Sequence, residues 1–358
     1  MNRVDLLSLP VLVAVAQLAA AQIPPRYEII PIEDDPDYNG RARMNNHSQV
    51  VYCVDYWTSR DVVLYDNGET IRLTDDPEWD SLPDINDSGQ IVWARQVNGP
   101  DTPWQIMLLD GGQRTQLTFS DRDNSSPRIN NQGHIVWRRY MGEGDCGVER
   151  MDLFFWDGSE VTQLTFSGEE SEGIANQAPE INDLEQIVWT QYDFCNDPWT
   201  SRIMQYSDGA ITQVSPSEQT HPQAANLNNR GLITWSLDGI WLWENGEVSM
   251  LTDWGGGAKP NDRGEIALSR SYPGDPVPSS ELWLYRNGEF YQITDNPHDQ
   301  GWYNLWIGPR DINEKGEIVY ETGRPWFDEA YIYLMALSLE DGHSSSPAEA
   351  IDVKRVLP

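Results

Sequence analysis

The chain has 358 residues, with 57 acidic side chains against 24 basic ones and a formal net charge of −33. Such a field disfavours nucleic acid and anionic membrane surfaces as partners and leaves cations, cationic proteins and neutral glycans, while also serving solubility. The 16 Trp and 15 Tyr beside 28 Gly and 23 Pro supply strand mass and turn punctuation, the balance of an all-β protein.

Residues 1–21 read as a signal peptide. Arg3 precedes the apolar run Leu6 to Ala20, and Ala19-Ala20-Ala21 offers small residues for cleavage after Ala21. That run is shorter than the ~20 residues that span a bilayer, and no other segment is a candidate span. The expectation is a secreted or periplasmic chain without stable membrane insertion, built as one domain over 22–341 with a tail at 342–358.

The stretch Ile85-Asn86-Asp87-Ser88-Gly89-Gln90-Ile91-Val92-Trp93 recurs along the chain as a polar turn followed by a short β-branched run. Its asparagines fall at 45, 86, 130, 182, 228, 261 and 313, so the intervals are 41, 44, 52, 46, 33 and 52. A strand-rich unit with a period in this range is the signature of a propeller blade array. Each copy is followed by an alternating strand, an Asp-Gly or Asn-Gly turn, and a strand ending in Leu-Thr, as in Ile106 to Gly112 with Gln116-Leu117-Thr118. The Asp-Gly and Asn-Gly turns are hairpin signals, because a two-residue turn of the favoured hand needs positive φ. One unit therefore predicts four antiparallel strands: A into the Asn turn, B as Ile-Val-Trp, C before the Asp-Gly turn, and D ending Leu-Thr. Seven units predict a seven-bladed β-propeller.

Ile30 to Tyr38 aligns in register with Ile71 to Trp79, so Tyr27 to Glu33 is a D-type strand with no blade before it. The seventh unit stops after its C strand, Tyr331 to Leu337. The orphan strand and the incomplete blade are complementary, and pairing them would remove two exposed edges. Ala350 to Val356 is the other segment that could fill the slot.

The pattern Ile-Asn-Asp-x-Gly-Gln-Ile-Val, followed by a strand, Asp-Gly and Gln-Leu-Thr, resembles the bacterial TolB-like (WD40-like) propeller repeat over residues 27 to about 337. Its core is also similar to the extracellular HAF repeat. The resemblance implies the architecture and is nearly silent on chemistry.

In such a blade the A–B and C–D turns share one face and the B–C and D–A loops the other. Here the first set is uniformly short, and the insertions (139–152, 191–202, 271–281 and 321–329 between B and C, 166–178 and 295–308 between D and A) all belong to the second. Variable loops on a rigid scaffold are where function concentrates. The expected ligand face is thus the B–C/D–A face, with Trp79, Trp199, Trp254, Trp302, Trp306, Trp326 and Asp299 as candidate contacts. Flat rings beside carboxylates suit a glycan, and equally a protein interface.

Asp35, Asp37 and Asn39 carry the D-x-D-x-N-G spacing of a calcium loop, although Asn46 stands where a bidentate Glu would close it. Calcium is therefore a possible cofactor, and no other is expected. The five histidines have no paired zinc spacing, and no Gly-x-Ser-x-Gly elbow is present. Cys146 and Cys195 lie in neighbouring B–C insertions and are placed to form a disulfide, which leaves Cys53 as a buried thiol. The function expected is a non-catalytic, monomeric scaffold that binds an extracytoplasmic protein or glycan. The alternative is a glycoside hydrolase or polysaccharide lyase using carboxylates or histidines.

Overall fold

The computed structural model describes residues 27–33, 39–56, 59–99, 101–144, 147–168, 173–195, 199–271, 280–295, 306–324 and 329–337. Within them the chain forms twenty-eight strands and no helix. The strands fall into antiparallel fours, as predicted. In the second group Trp79–Ile85, Ile91–Gln96, Trp104–Asp110 and Gln113–Gln116 pair in chain order. Three sheets hold one group each, and two eight-stranded sheets hold two groups joined by a single parallel pairing, Arg60 with Trp79 or Met151 with Ala175.

Tyr27–Glu33 takes the outer position of the sheet whose inner strand is Trp306–Ile312. It runs antiparallel to Glu329–Leu337, with Tyr27 opposite Leu337 and Ile30 opposite Leu334. This is the D position the in-register match predicts. The competing segment, 350–356, lies outside the described residues, as do the signal peptide and the tail.

The Ile-Val-Trp strands are apolar at every position because both of their faces are covered. Ile91, Val92 and Trp93 are all buried, as are Ile135, Val136 and Trp137. Consecutive groups share hydrophobic seams: Val51 and Val62 pack against Ile85, Ile91 and Trp93, and Val188 and Ile203 against Ile233 and Trp235. Another seam joins the last group to the first, with Val319, Ile332 and Leu334 against Met44, Val50 and Tyr52. The D strands Glu69–Arg72 and Ala210–Gln213 are exposed along their length.

In one respect the D strands differ from the prediction. In five groups they end before the Leu-Thr pair or its Val-Ser or Ile-Thr equivalent, and the hydroxyl side chain continues the ladder in place of backbone, whereas Glu247–Thr252 runs through its own Leu-Thr. Thr118 Oγ1 accepts from Ile106 N at 2.8 Å and donates to Gln105 Oε1 at 2.8 Å. Thr74, Thr165 and Thr294 do the same for Val62, Leu153 and Leu282, and Ser215 substitutes at Ile203.

Every inner strand also carries a bulge, four residues ahead of its asparagine. Arg41, Leu82, Ser126, Ala178, Ala224 and Gly257 occupy that position with φ between 51° and 66°. The last strand has Pro309 there, whose ring forbids positive φ, and its one-residue register shift falls between Pro309 and Asp311. A bulge re-aims the residues that follow it.

Candidate functional site

The asparagine turns work locally as the sequence implies. Asn86 Oδ1 accepts from Ser88 N at 3.1 Å and Gln90 N at 2.9 Å, and Gly89 holds φ +76°. The same side chain also reaches the next group, where Asn86 Nδ2 donates to Asn130 O at 2.9 Å. Asn130 bonds Asn182, and so on through Asn228, Asn261 and Asn313, whose Nδ2 returns to Asn45 O at 3.4 Å. Asn45 donates to Asn86 O and completes the circuit. The following residues form a parallel circuit of backbone N–H groups onto side-chain oxygens, Asn46 to Asp87 to Asn131 to Asp183 to Asn229 to Asp262 to Glu314 and back to Asn46, at 2.6–2.8 Å.

Beneath these circuits lies a polar cavity of about 180 Å³ lined by the ends of all seven inner strands. The residues two before the asparagines form a layer here: Arg43, Asp84, Glu180, Asn226, Lys259 and Asp311 line the cavity, and Arg128 joins them through Glu180. The layer holds three cations, three anions and one amide. Glu180 is its hub, 2.5 Å from Arg43, 3.1 Å from Arg128 and 3.8 Å from Lys259. Burial works against its charge, but Arg128, Arg43 and Lys259 outweigh that and hold Glu180 down to about 2. Asp84 accepts from Ile129 N at 2.9 Å and sits farther from the cations. Burial therefore dominates over Arg128 and Arg43 and lifts it to about 6. Burial and the like charge of Arg43 bring Lys259 down to about 8. This layer was not read from the sequence, although alternation of charge sign at a fixed offset from the asparagines would have revealed it.

The carboxylates repeated through the units have structural partners. Asp61 receives Thr74 Oγ1 and Arg72, Asp152 receives Thr165 and Ser167, and Glu281 receives Thr294. Asp80 binds the Trp93 indole N–H at 2.6 Å and Arg95 at 2.7 Å, a role that Asn124 and Asn176 take for Trp137 and Trp189. Asp76, on the expected ligand face, is engaged by Arg95 and Arg114.

Of the predicted aromatic contacts, Trp199 lies on the B–C/D–A face, 38% exposed. It stands edge-on to His221 at 4.6 Å and beside Tyr192 and Phe194, which stack on each other at 5.2 Å. Trp79 is half-buried under the Arg60 guanidinium. Trp254 is half-buried in a seam, packed on Trp283 and Phe290 with Arg270 4.4 Å over its ring. The structure therefore does not bring the three rings into one cluster. Trp306 opens the last inner strand. Trp302, Trp326 and Asp299 lie outside the described residues, as do Asp35 and Asp37 of the proposed calcium loop, whose Asn39 opens a strand. Among the described residues no group of three His, Cys, Asp or Glu is arranged to hold a metal, and no helix is long and apolar enough to cross a membrane. Cys53 is free and buried, and burial pushes its thiol up to about 12. Cys195 is disulfide-bonded, and Cys146 lies outside the described residues.

The same face holds a second cavity of about 290 Å³, between the first three groups, lined by Arg41, Arg60, Arg138, Trp104, Tyr140 and their neighbours.

No protein-family model and no curated protein sequence matches the chain. Solved structures do. The β-propeller domain of the trilobed protease from Pyrococcus furiosus, described as having an open Velcro topology, superposes with a TM-score of 0.57 at 14% identity, over 88% of this chain and 99% of that one. Virginiamycin B lyase from Staphylococcus aureus gives 0.56 at 9% identity, over 87% and 99%. Pyrococcus horikoshii acylaminoacyl peptidase gives 0.56 at 15% identity, over 86% of this chain, which spans 53% of that longer protein. At these identities the likeness establishes the fold: the chain is a β-propeller, as the repeat implied.

Proposed function

We propose that the chain is a seven-bladed propeller of residues 22–341, closed by Tyr27–Glu33 as the outer strand of the last blade. On this reading it is exported, monomeric and non-catalytic, and binds a protein or glycan through its B–C/D–A face. Support for closure comes from the two hydrogen-bond circuits, which return to Asn45 and Asn46, and from the seam between the last and first groups. The observation that carries the binding reading is a division of labour. The described acids and amides at repeat positions are spent on structural bonds, whereas Trp199 stands exposed on the long-loop face, backed by the half-buried rings of Tyr192, Phe194 and His221. Exposed aromatic rings of this kind mark recognition surfaces. A glycan array with a parallel pull-down from an envelope fraction, run with and without calcium, tests it. The wild type should retain a ligand that Trp199→Ala loses. Retention by Trp199→Ala with loss on substitution of Asn86 would place the working surface on the short-turn face.

One observation favours an enzyme instead. Asp84 and Glu180 have affinities for the proton pushed in opposite directions, the pattern that glycosidic acid and base pairs use, and virginiamycin B lyase has the same fold. Against it, both carboxyls are bonded within a small polar cavity at the short-turn end. Polysaccharide turnover abolished by Asp84→Asn in folded protein would decide for the enzyme.

A further inference from the structure

Repeat positions serve the fold in every blade, so residues that break the repeat at one place need a separate explanation. Three such departures meet in the 290 Å³ cavity between the first three blades. The bulge position holds Leu82, Ser126, Ala178, Ala224 or Gly257 in other blades, but Arg41 in the first. The residue after the buried Ile-Val-Trp is Ala94, Thr190 or Ser236 in three other blades, but Arg138 in the third. The start of the C strand supplies Trp104 in the second blade, where the fourth has Ser201.

Arg41 keeps φ at 66°, a backbone conformation that a side chain makes costly and glycine does not. Among the described residues its guanidinium makes no hydrogen bond or ion pair, and that of Arg138 is bonded to Ser125 Oγ alone, through Nε at 2.9 Å. Arg60, by contrast, is committed to Asp55 and Ser81. Burial lowers the affinity of Arg138 for its proton, Glu149 raises it, and the like charge of Arg41 lowers it again. Two cations are thus held close together inside a chain of net charge −33. The remaining acids at the rim, Asp123 and Glu149, are exposed, and Asp123 already accepts from Trp104 N at 2.8 Å. Trp104 and Tyr140 wall the cavity, and Leu82, Ala94 and Met151 add apolar surface.

We propose that this cavity binds an acidic sugar unit, its carboxylate held by Arg41 and Arg138 and its ring lying against Trp104 and Tyr140. Paired guanidinium donors match a carboxylate, and the volume is that of a cleft for one small ring rather than an extended chain. The assignment rests on the glycan-binding reading of this face and narrows it to an acidic ligand class.

Calorimetric titration of the full chain at fixed ionic strength tests it, with D-glucuronate, D-glucose, inorganic sulfate and a short acidic peptide as probes. Saturable binding of glucuronate is expected, with glucose at least about ten-fold weaker, the order of one charge-assisted contact. Arg138→Gln should weaken glucuronate by a similar factor. Arg41→Gly is the sharper variant, because it removes a guanidinium while relieving a left-handed φ. It should lose binding while its Tm holds or rises. Equal binding of glucose, or full binding by Arg41→Gly, overturns the site. Sulfate or the peptide binding more tightly than glucuronate overturns the sugar assignment. A wild type that ignores glucuronate but keeps a Trp199-dependent ligand would refute this inference alone. Glucuronate binding with no polymer or protein partner would instead refute the scaffold reading.

Discussion

The two ends of this propeller are built on opposite plans. At the short-turn end, seven near-identical turns lock to one another through two hydrogen-bond circuits, above a layer of three cations, three anions and an amide. Each polar group there answers to a neighbour. At the long-loop end the repeat lapses, loops differ from blade to blade, Trp199 is exposed above a half-buried aromatic cluster, and two guanidiniums face a cavity. Repetition can specify a closed structure, because each copy makes the contact its neighbour needs. A ligand site has to depart from repetition, since a ligand without seven-fold symmetry meets different groups on different sides.

If that division is right, damage to the closed circuit should cost stability, and damage to the loop face should cost binding. The largest effect is expected from deleting residues 27–33. This strips Glu329–Leu337 of its outer partner and removes the buried side chains of Tyr27 and Ile32, a loss on the order of 5 kcal/mol, and thermal unfolding should show a large fall in Tm. A fully stable deletion variant would mean that another segment closes the ring. Next comes Glu180→Gln, which leaves Arg43, Arg128 and Lys259 without their common counter-ion. Denaturant titration should show a loss of about 3–5 kcal/mol.

Asn86→Ala and Gly89→Val should each cost about 1–3 kcal/mol and leave ligand binding by the folded fraction intact. A Cβ at Gly89 meets nothing within 4 Å, so the valine penalty comes from φ +76° rather than from a clash.

A smaller effect depends on pH. Burial raises Asp84 from 3.8 to about 6 in the folded chain, so between those values the folded state holds the proton more tightly than the unfolded one. The stability from this group is present below about pH 4 and lost as pH rises through about 6. Glu180, lowered to about 2, has the opposite sign and loses its contribution as pH falls. The Tm of Asp84→Asn relative to wild type should therefore improve across pH 4–6, and a flat difference would refute the burial of that carboxyl. Smallest of all, Trp199→Ala should cost about 1 kcal/mol or less, because its ring is partly solvated and has only edge and tilted contacts to lose. A loss as large as that of Asn86→Ala would make Trp199 a structural residue and erase the contrast between the ends.

The sequence by itself determined the blade unit. A period-two strand pattern, positive-φ turns and an asparagine that folds onto its own backbone are local instructions, so the four-strand groups and the role of Tyr27–Glu33 could be read before any coordinates. It did not determine what the repeated polar residues bond to. Asn86 Nδ2 reaches an acceptor 44 residues away as well as Gln90 beside it, and the partner of the Trp93 indole lies 13 residues upstream at a position where the repeat varies. Only the tertiary structure brought six alternating charges and one amide from the seven inner strands into one layer, because the bulge that aims them is a backbone device with no residue signature: Arg, Leu, Ser, Ala and Gly all occupy it. The same holds for the cavity of Arg41 and Arg138. Those residues lie 97 positions apart in the chain and meet only because successive blades stand side by side.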